Sequence, residues 1–499
     1  MLTEIQHLIG GEFVRTTDRA IETVNPTTES VLGWQPDGDS AVVDAAVRAA
    51  RESFEAGPWS RWPASRRADC LNALADLVDD HAEALAEIET SDNGLPIFQT
   101  RGGHVPRAVA HFRHFAGESL RLVGESFPLD AAYLNLVHRE PLGVVGIISP
   151  WNGPLAVSSL NLAAALAAGN TCVLKPSERA PLSIWRLSSL IAEAGFPRGV
   201  VNIVYGGGES TGRSLARHAD VNAICFVGAC EVGQEIMAAG AQTLKTLTLE
   251  LGGKSPTIIL ADADLDRAVD GALLSVFSGN GEVCTAGARI LVEAPLFERF
   301  LESFTERARN IRVGDPLNAE TEIGPLISRE HRARVLGMIE VATRQGAKIA
   351  CGGSIPAHSP RGFFLQPTVL HDVNPEMAVM QDEVFGPVAA VLRVSDADEA
   401  VRVANGTRFG LAASIWSRDT SRALALARRI RAGGVGINST PIRDIRAPFG
   451  GMKLSGLGRL GGRWSIEQFT ATKTVSLPVE GYALPRFGLR ARAADDADH

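Results

Sequence analysis

Apolar positions follow three different spacings along this chain. Between about Ala41 and Thr90 they recur at helical intervals among Ala, Leu, Arg, Glu and Asp, and Pro58 and Pro63 divide the run into two helices. The stretch L-G-V-V-G-I-I-S, 142–149, is instead a continuous apolar run stopped by Pro150, the pattern of a strand buried on both faces. From there helices and short strands alternate: helix 157–168, strand 171–174, helix 182–194, strand 200–204, the loop Gly206-Gly207-Gly208 before another helix, then strand 223–227. The rhythm restarts after Gly252-Gly253, taken as a domain boundary, with strand 256–260 and a helix from about Leu265 to Phe277. This alternation predicts an α/β fold with a doubly wound, mostly parallel sheet, which holds ligands at the carboxyl ends of its strands. Two further segments alternate with period two outside these units, Y-L-N-L-V-H-R at 133–139 and T-K-T-V-S-L at 472–477. They are expected to pair in a small separate sheet or with another subunit.

Composition narrows the function. The chain has 499 residues, 45% hydrophobic and 21% charged, and 57 Asp+Glu against 49 Lys+Arg give a net charge of −8. That balance argues against a nucleic-acid partner, which calls for a basic face. No apolar run reaches the roughly 18 residues of a membrane helix, and the N-terminus lacks a basic leader, so no membrane partner and a cytoplasmic location are expected. Six cysteines without a C-x-x-C pair fit a reducing compartment and spell neither a disulfide framework nor a metal site.

Four segments carry unusual chemistry. Cys284 sits in G-N-G-E-V-C-T-A-G, where glycines leave the sulfur and nearby N–H groups open to a ligand; the plainer reading is a buried cysteine at a helix end, which suits Cys70, Cys172 and Cys225. Glu250, in L-E-L-G-G-K, is a carboxylate among leucines, so its acidity should weaken toward that of a general base, although a turn-capping glutamate reads the same way. Asn152, in P-W-N, ends a sheet strand and can donate to an oxyanion or close a turn. Lys175-Pro176-Ser177-Glu178 ends the next strand, where a ribose or a loose surface ion pair accounts for it equally.

Together, in this order, the four segments resemble the aldehyde dehydrogenase superfamily. The likeness runs from Ile9-Gly10-Gly11 to Leu477 and includes Glu383-Val384-Phe385-Gly386-Pro387, Asn438, and Pro448-Phe449-Gly450-Gly451 with Lys453, Ser455, Gly456 and Gly458-Arg459. The resemblance implies Cys284 as nucleophile, Glu250 as general base, and Asn152 with the Cys284 N–H as oxyanion hole. It places Lys175 and Glu178 at the adenine ribose, Glu383 at the nicotinamide ribose and Phe385 beside the nicotinamide. Gly228 and Gly233 take the pyrophosphate-proximal loop of a Rossmann variant without G-x-G-x-x-G, and Trp151, Ser177, Gly208 and Leu251 join the cofactor residues. Residues 1–122 and 142–252 then form an NAD-binding domain and 253–467 a catalytic domain. Segments 123–141 and 468–481 become oligomerisation strands of a homodimer or homotetramer, and 486–499 a flexible tail.

The implied reaction is NAD-dependent oxidation of an aldehyde through a cysteine thioester, which water hydrolyses. Glu178 favours NAD over NADP, because a carboxylate accepts from a ribose 2′-hydroxyl and repels a 2′-phosphate. Four departures from the family stand out. Ala229 replaces a hydroxyl residue and should loosen the cofactor, Gly279 and Glu282 should make the approach to the thiol more open and more acidic, and Leu460 replaces an acid and should alter local packing. A CoA-acylating enzyme, a thiol hydrolase and a non-catalytic homologue are the rivals; the first is opposed by Glu250, the second by the lack of a histidine motif beside Cys284, the third by the presence of both nucleophile and base. For the substrate, V-P-R ending at Arg107 and R-D-I-R-A-P-F-G-G resemble the branch acting on 2-hydroxymuconate-type semialdehydes. There Arg107 and one of Arg443 and Arg446 would grip a substrate carboxylate, with Val283, Thr285 and Phe449 as walls. The alternatives are an apolar or broad-range aldehyde, and arginines that merely pair with Asp444 or a neighbouring subunit.

Overall fold

The computed structural model describes residues 2–16, 20–129, 133–479 and 487–488. Apart from Phe487 and Gly488, the expected tail lies outside the described residues. An eight-stranded sheet runs, from one edge, Gly456–Leu457, Thr246–Leu251, Ala223–Gly228, Val144–Ile148, Thr171–Lys175, Val201–Ile203, His7–Ile9, Glu12–Val14. The five central strands are parallel and the edges antiparallel. The chain winds outward from Val144–Ile148 through Thr171–Lys175, then returns to lay Ala223–Gly228 on the other side of Val144–Ile148. That reversal opens a crevice at the carboxyl ends of these strands, beside Trp151 and Gly228.

The run at Val144–Ile148 is buried along its whole length because it faces two cores. Val145 and Ile147 pack with the helices Ala64–Asp80, Val105–Ser119 and Pro154–Ala167, whereas Val144 and Ile148 pack with Ser40–Glu55 on the other side. The second unit is a seven-stranded sheet in the order Lys348–Cys351, Thr368–His371, Val388–Val394, Arg289–Glu293, Pro256–Ile259, Ala412–Trp416, Gly434–Ile437, parallel except for its first strand. The two alternating segments pair with each other: Thr470–Pro478 lies antiparallel on Tyr133–Pro141, with Glu125–Leu129 beyond.

Three features differ from the sequence expectation. The helical preface holds three helices, because Ala64–Asp80 and Ala82–Asn93 are separated at His81, whose Nδ1 lies 2.9 Å from the Leu77 carbonyl oxygen. The glycine loop leads into a π-turn, Gly208–Gly212, and only a five-residue helix, Arg213–Arg217. Gly456–Leu457, from within the stretch expected to belong wholly to the catalytic unit, crosses back to pair with Leu249 and Glu250. Among the described residues no helix is long and apolar enough to cross a membrane.

Candidate active site

The thiol loop follows the helix Leu265–Phe277 and turns sharply through Gly279, Asn280 and Gly281, all at positive φ. Asn280 adopts that conformation because its side chain is pinned on three sides. Its Nδ2 donates to the carbonyls of Gly94 and Pro325, each at 3.0 Å, and its Oδ1 accepts from Gly324 N–H at 2.8 Å. Sequence reasoning missed this residue, since its partners are far away in the chain. Cys284, at the end of the turn, is half-buried while the other five cysteines are buried. Burial pushes its thiol up to about 11; the charge of Arg443 opposes the shift and Glu383 and Glu250 add to it.

Asn152 reaches the same loop, its Nδ2 donating to the Glu282 carbonyl at 2.7 Å. Glu250 is 5% exposed on the Thr246–Leu251 strand, and neither of its carboxylate oxygens has a hydrogen-bond partner among the described residues. Burial pushes it up to about 8, against the opposing charges of Arg443 and Arg459. Glu383 is likewise raised by burial to about 7, and its Oε1 accepts from Gly253 N–H at 3.1 Å. The glycine pair is explained here: a Cβ on Gly252 would stand 2.3 Å from Glu383 Oε2, and one on Gly253 2.5 Å from the Cys284 carbonyl.

On the nucleotide side, Lys175 is 2% exposed and its Nζ lies 2.9 Å from Glu178 Oε2. Burial alone would raise the Glu178 carboxyl, but Lys175 outweighs it and holds the group below its usual range. The Ser177 Oγ accepts from Arg179 N–H. Trp151 and Phe385 meet edge to face at 5.3 Å, and His331, which the sequence did not single out, packs against both rings with its Nε2 2.6 Å from the Phe385 carbonyl. Gly228 ends its strand, and the helix Cys230–Gly240 follows with Ala229 at its N-cap and no side-chain acceptor, so its first N–H groups stay open. Gly233 packs its helix on Leu251, where a Cβ would fall 2.6 Å from Cδ2. Gly208 begins the π-turn, beside Gly207, whose N–H donates to Asp37 at 2.9 Å. The donor set fits a dinucleotide: a cation–carboxylate pair and a second half-buried carboxylate for ribose hydroxyls, and open helix N–H groups for phosphate. Among the described residues no cluster of His, Cys, Asp and Glu is arranged to hold a metal.

Two expectations at the substrate side are corrected. Glu282 does not acidify the approach to the thiol: it is buried, its carboxyl is pushed well above its ordinary value, and its Oε1 accepts from Ile327 N–H at 3.0 Å. Arg446 is not a free guanidinium, since its Nε lies 2.9 and 3.1 Å from the two Asp444 carboxylate oxygens and its Nη2 2.6 Å from one of them. That fork holds the Asp444 carboxyl down at about 2. Arg443 is different. It stacks over Phe449 at 3.9 Å, its charge reaches Cys284, Glu250 and Arg107, and neither it nor Arg107 forms an ion pair among the described residues. Arg107 is exposed, and partial desolvation of its guanidinium together with the charge of Arg443 holds it below its usual range. Val283 and Thr285 flank the thiol and are half-buried; Gly279 makes room for Val283, whose Cγ2 would lie 2.7 Å from an added Cβ. Leu460 is buried and exchanges backbone hydrogen bonds with Phe449.

Two parallel-sheet units that gather a thiol, an amide and the carboxylates of Glu250 and Glu383 define a doubly wound α/β enzyme. The model of the aldehyde dehydrogenase family matches residues 13–475, and the chain belongs to that family. It is 43% identical over 469 residues, 93% of this chain and 99% of the other, to 5-carboxymethyl-2-hydroxymuconate semialdehyde dehydrogenase of Escherichia coli. It is 41% identical to mitochondrial aldehyde dehydrogenase of Homo sapiens, over 92% of this chain and 89% of that one. An NAD+ complex of aldehyde dehydrogenase from Bacillus cereus superimposes with a TM-score of 0.94 at 40% identity, covering 96% of this chain and 97% of that chain. The protein is an oxidoreductase that acts on aldehydes, and its cofactor is NAD.

Proposed function

We propose that the enzyme oxidises a semialdehyde carrying a carboxylate at its far end, of the kind produced when an aromatic ring is opened, and that Cys284, Glu250 and Asn152 carry the chemistry. The observation that bears this reading is the pair of guanidiniums, Arg107 and Arg443, which feel each other's charge and have no carboxylate partner among the described residues, while Arg446 has its own; the charge of Arg443 also reaches Cys284. Two unneutralised cations facing one another repel, and an anionic ligand between them relieves that repulsion. The name of the Escherichia coli relative, a dehydrogenase of such a carboxylated semialdehyde, supports the same choice.

In this reading the Cys284 thiol gives up its proton to water as its sulfur bonds to the aldehyde carbon, and the oxyanion is held by the Asn152 amide and the Cys284 N–H. NAD, when bound, accepts the hydride that leaves as the carbonyl re-forms. Lys175, Ser177 and Glu178 would hold its adenine ribose, Glu383 the nicotinamide ribose, and Trp151 and Phe385 the ring; Gly228 and the helix N-terminus at Ala229 would face the phosphates. The acyl group then rests on Cys284, and Glu250 takes a proton from the water that releases the acid. We further propose a homodimer or homotetramer joined through the exposed strand Thr470–Pro478 and its neighbours.

The test is kcat/KM for a carboxylated semialdehyde against an uncharged aldehyde of matched length. Arg443→Ala should cost the carboxylated substrate roughly 10- to 100-fold, the value of a charged hydrogen bond of about 1.5–3 kcal/mol, and spare the uncharged one. Equal preference in the parent enzyme, unchanged in Arg107→Ala and Arg443→Ala, would establish an apolar or broad-range aldehyde as the substrate instead.

A further inference from the structure

One buried acid and one imidazole beneath the cleft take no part in the chemistry above. Glu89, 0% exposed on the helix Ala82–Asn93, accepts the Leu155 N–H on Oε2 at 3.1 Å, and its Oε1 lies 2.5 Å from His104 Nδ1. Leu155 is in the first turn of Pro154–Ala167, a helix that cannot cap itself. Its N-cap, Gly153, has no side chain, and Pro154 has no N–H, so the Leu155 N–H is its first orphan donor. A carboxylate supplied from a different helix satisfies that donor and sits at the positive end of the helix dipole.

Asn152 immediately precedes Gly153. A Cβ on Gly153 would lie 3.5 Å from His104 Cε1, so the imidazole packs against the backbone that carries the Asn152 amide. His104 also closes the π-turn Thr100–His104, which passes directly into the helix bearing Arg107. With a carboxylate as acceptor, the imidazole carries its proton on Nδ1.

We propose that Glu89 and His104 are positioning residues: together they fix the turn that aims the Asn152 amide at the oxyanion and tie it to the start of the Arg107 helix. The proposal rests on the oxyanion role of Asn152 given above. A displacement of about 1 Å at such a donor is enough to cost on the order of 100-fold in rate, so loosening the pair should appear in kcat.

His104→Phe keeps the bulk of the ring and removes the Nδ1 donor; it is expected to lower kcat by roughly tenfold or more and to leave KM for NAD unchanged. Acylation of Cys284 by an activated ester, which needs the oxyanion donor and no cofactor, should fall in parallel. Glu89→Gln keeps an oxygen for Leu155 N–H and turns its NH2 to the imidazole, which can accept on Nδ1 in its other neutral tautomer; it is expected to retain most of the rate, whereas a purely electrostatic role predicts a loss as large as that of His104→Phe. In Asn152→Ala the further change His104→Phe should add nothing. A His104→Phe enzyme within twofold of the parent, or losses that multiply in the double variant, overturns the proposal. An Asn152→Ala enzyme with full kcat overturns the oxyanion reading itself, and is recognised from that single variant alone.

Discussion

The loop that carries the thiol and the loop that carries the arginines lie within electrostatic reach of each other, yet they are held by different means. Around Cys284, buried side chains anchor the backbone at several points: Asn280 through Gly94, Pro325 and Gly324, Gln99 through Gly279 N–H, and Glu282 through Ile327 N–H. Residues 441–447 are largely exposed, and their order comes from the Asp444–Arg446 fork and the stacking of Arg443 on Phe449. In the proposed reaction the reacting atoms would therefore sit in a frame that no substrate has to organise, whereas selection of the substrate would rest on side chains that can change with little effect on the fold.

The largest effect belongs to the framed region. Cys284→Ala should abolish NADH formation from aldehyde, a loss of roughly 10⁴-fold or more, while Cys70→Ser and Cys351→Ser keep the activity largely intact. Full activity in the Cys284 variant would move the chemistry out of the frame altogether. Glu250→Gln should separate the two halves of the reaction: a stoichiometric burst of NADH survives and turnover stalls. In the parent, turnover limited by thioester hydrolysis should climb with pH and level off above about 8, because the carboxylate must lose its proton before it can accept one from water. The Gln variant should lack that limb, and loss of the burst as well would place Glu250 before hydride transfer.

A stability measurement sharpens the same contrast. Asn280→Ala removes three buried hydrogen bonds and should lower unfolding free energy by about 3 kcal/mol, whereas Asp444→Ala, at an exposed fork, should leave Tm unchanged. Comparable losses in both variants would mean that the arginine loop is as deeply built into the fold as the thiol loop.

The same contrast marks what could be read from the amino-acid order. The central strands were legible because their apolar runs are continuous; Cys284, Glu250 and Asn152 stood out as candidates because each stands at a strand end or beside glycines where a side chain has an unusual reason to be, and Glu383 through the family resemblance alone. The strand Gly456–Leu457 was not, since two residues cannot show a period, nor the helix break at His81, which no proline marks. Arg443 and Arg446 are indistinguishable as letters. Only folding decides which one closes on Asp444 and which stacks on Phe449, and the direction in which Glu282 points depends on Ile327, 45 positions away.

The smallest expected effect concerns the helix Cys230–Gly240, whose N-cap, Ala229, is exposed and offers no side-chain acceptor or donor. A hydroxyl installed by Ala229→Ser has two possible uses. It can donate to a phosphate of the dinucleotide, worth about 0.5–1.5 kcal/mol, or a two- to tenfold lower KM for NAD. Alternatively it can accept from an N–H of its own first turn, which stabilises the helix by about 1 kcal/mol without the cofactor. The two outcomes separate in a pair of measurements, because capping raises Tm of the cofactor-free protein and leaves KM alone, while phosphate bonding lowers KM and shows its Tm gain only with NAD present. Phosphate bonding is expected here: Gly228 leaves the backbone open at the strand end, and the unclaimed N–H groups of the helix stay with the phosphate. A raised Tm with unchanged KM would show instead that this helix terminus stands apart from the cofactor, and that the loose grip expected from Ala229 has another origin.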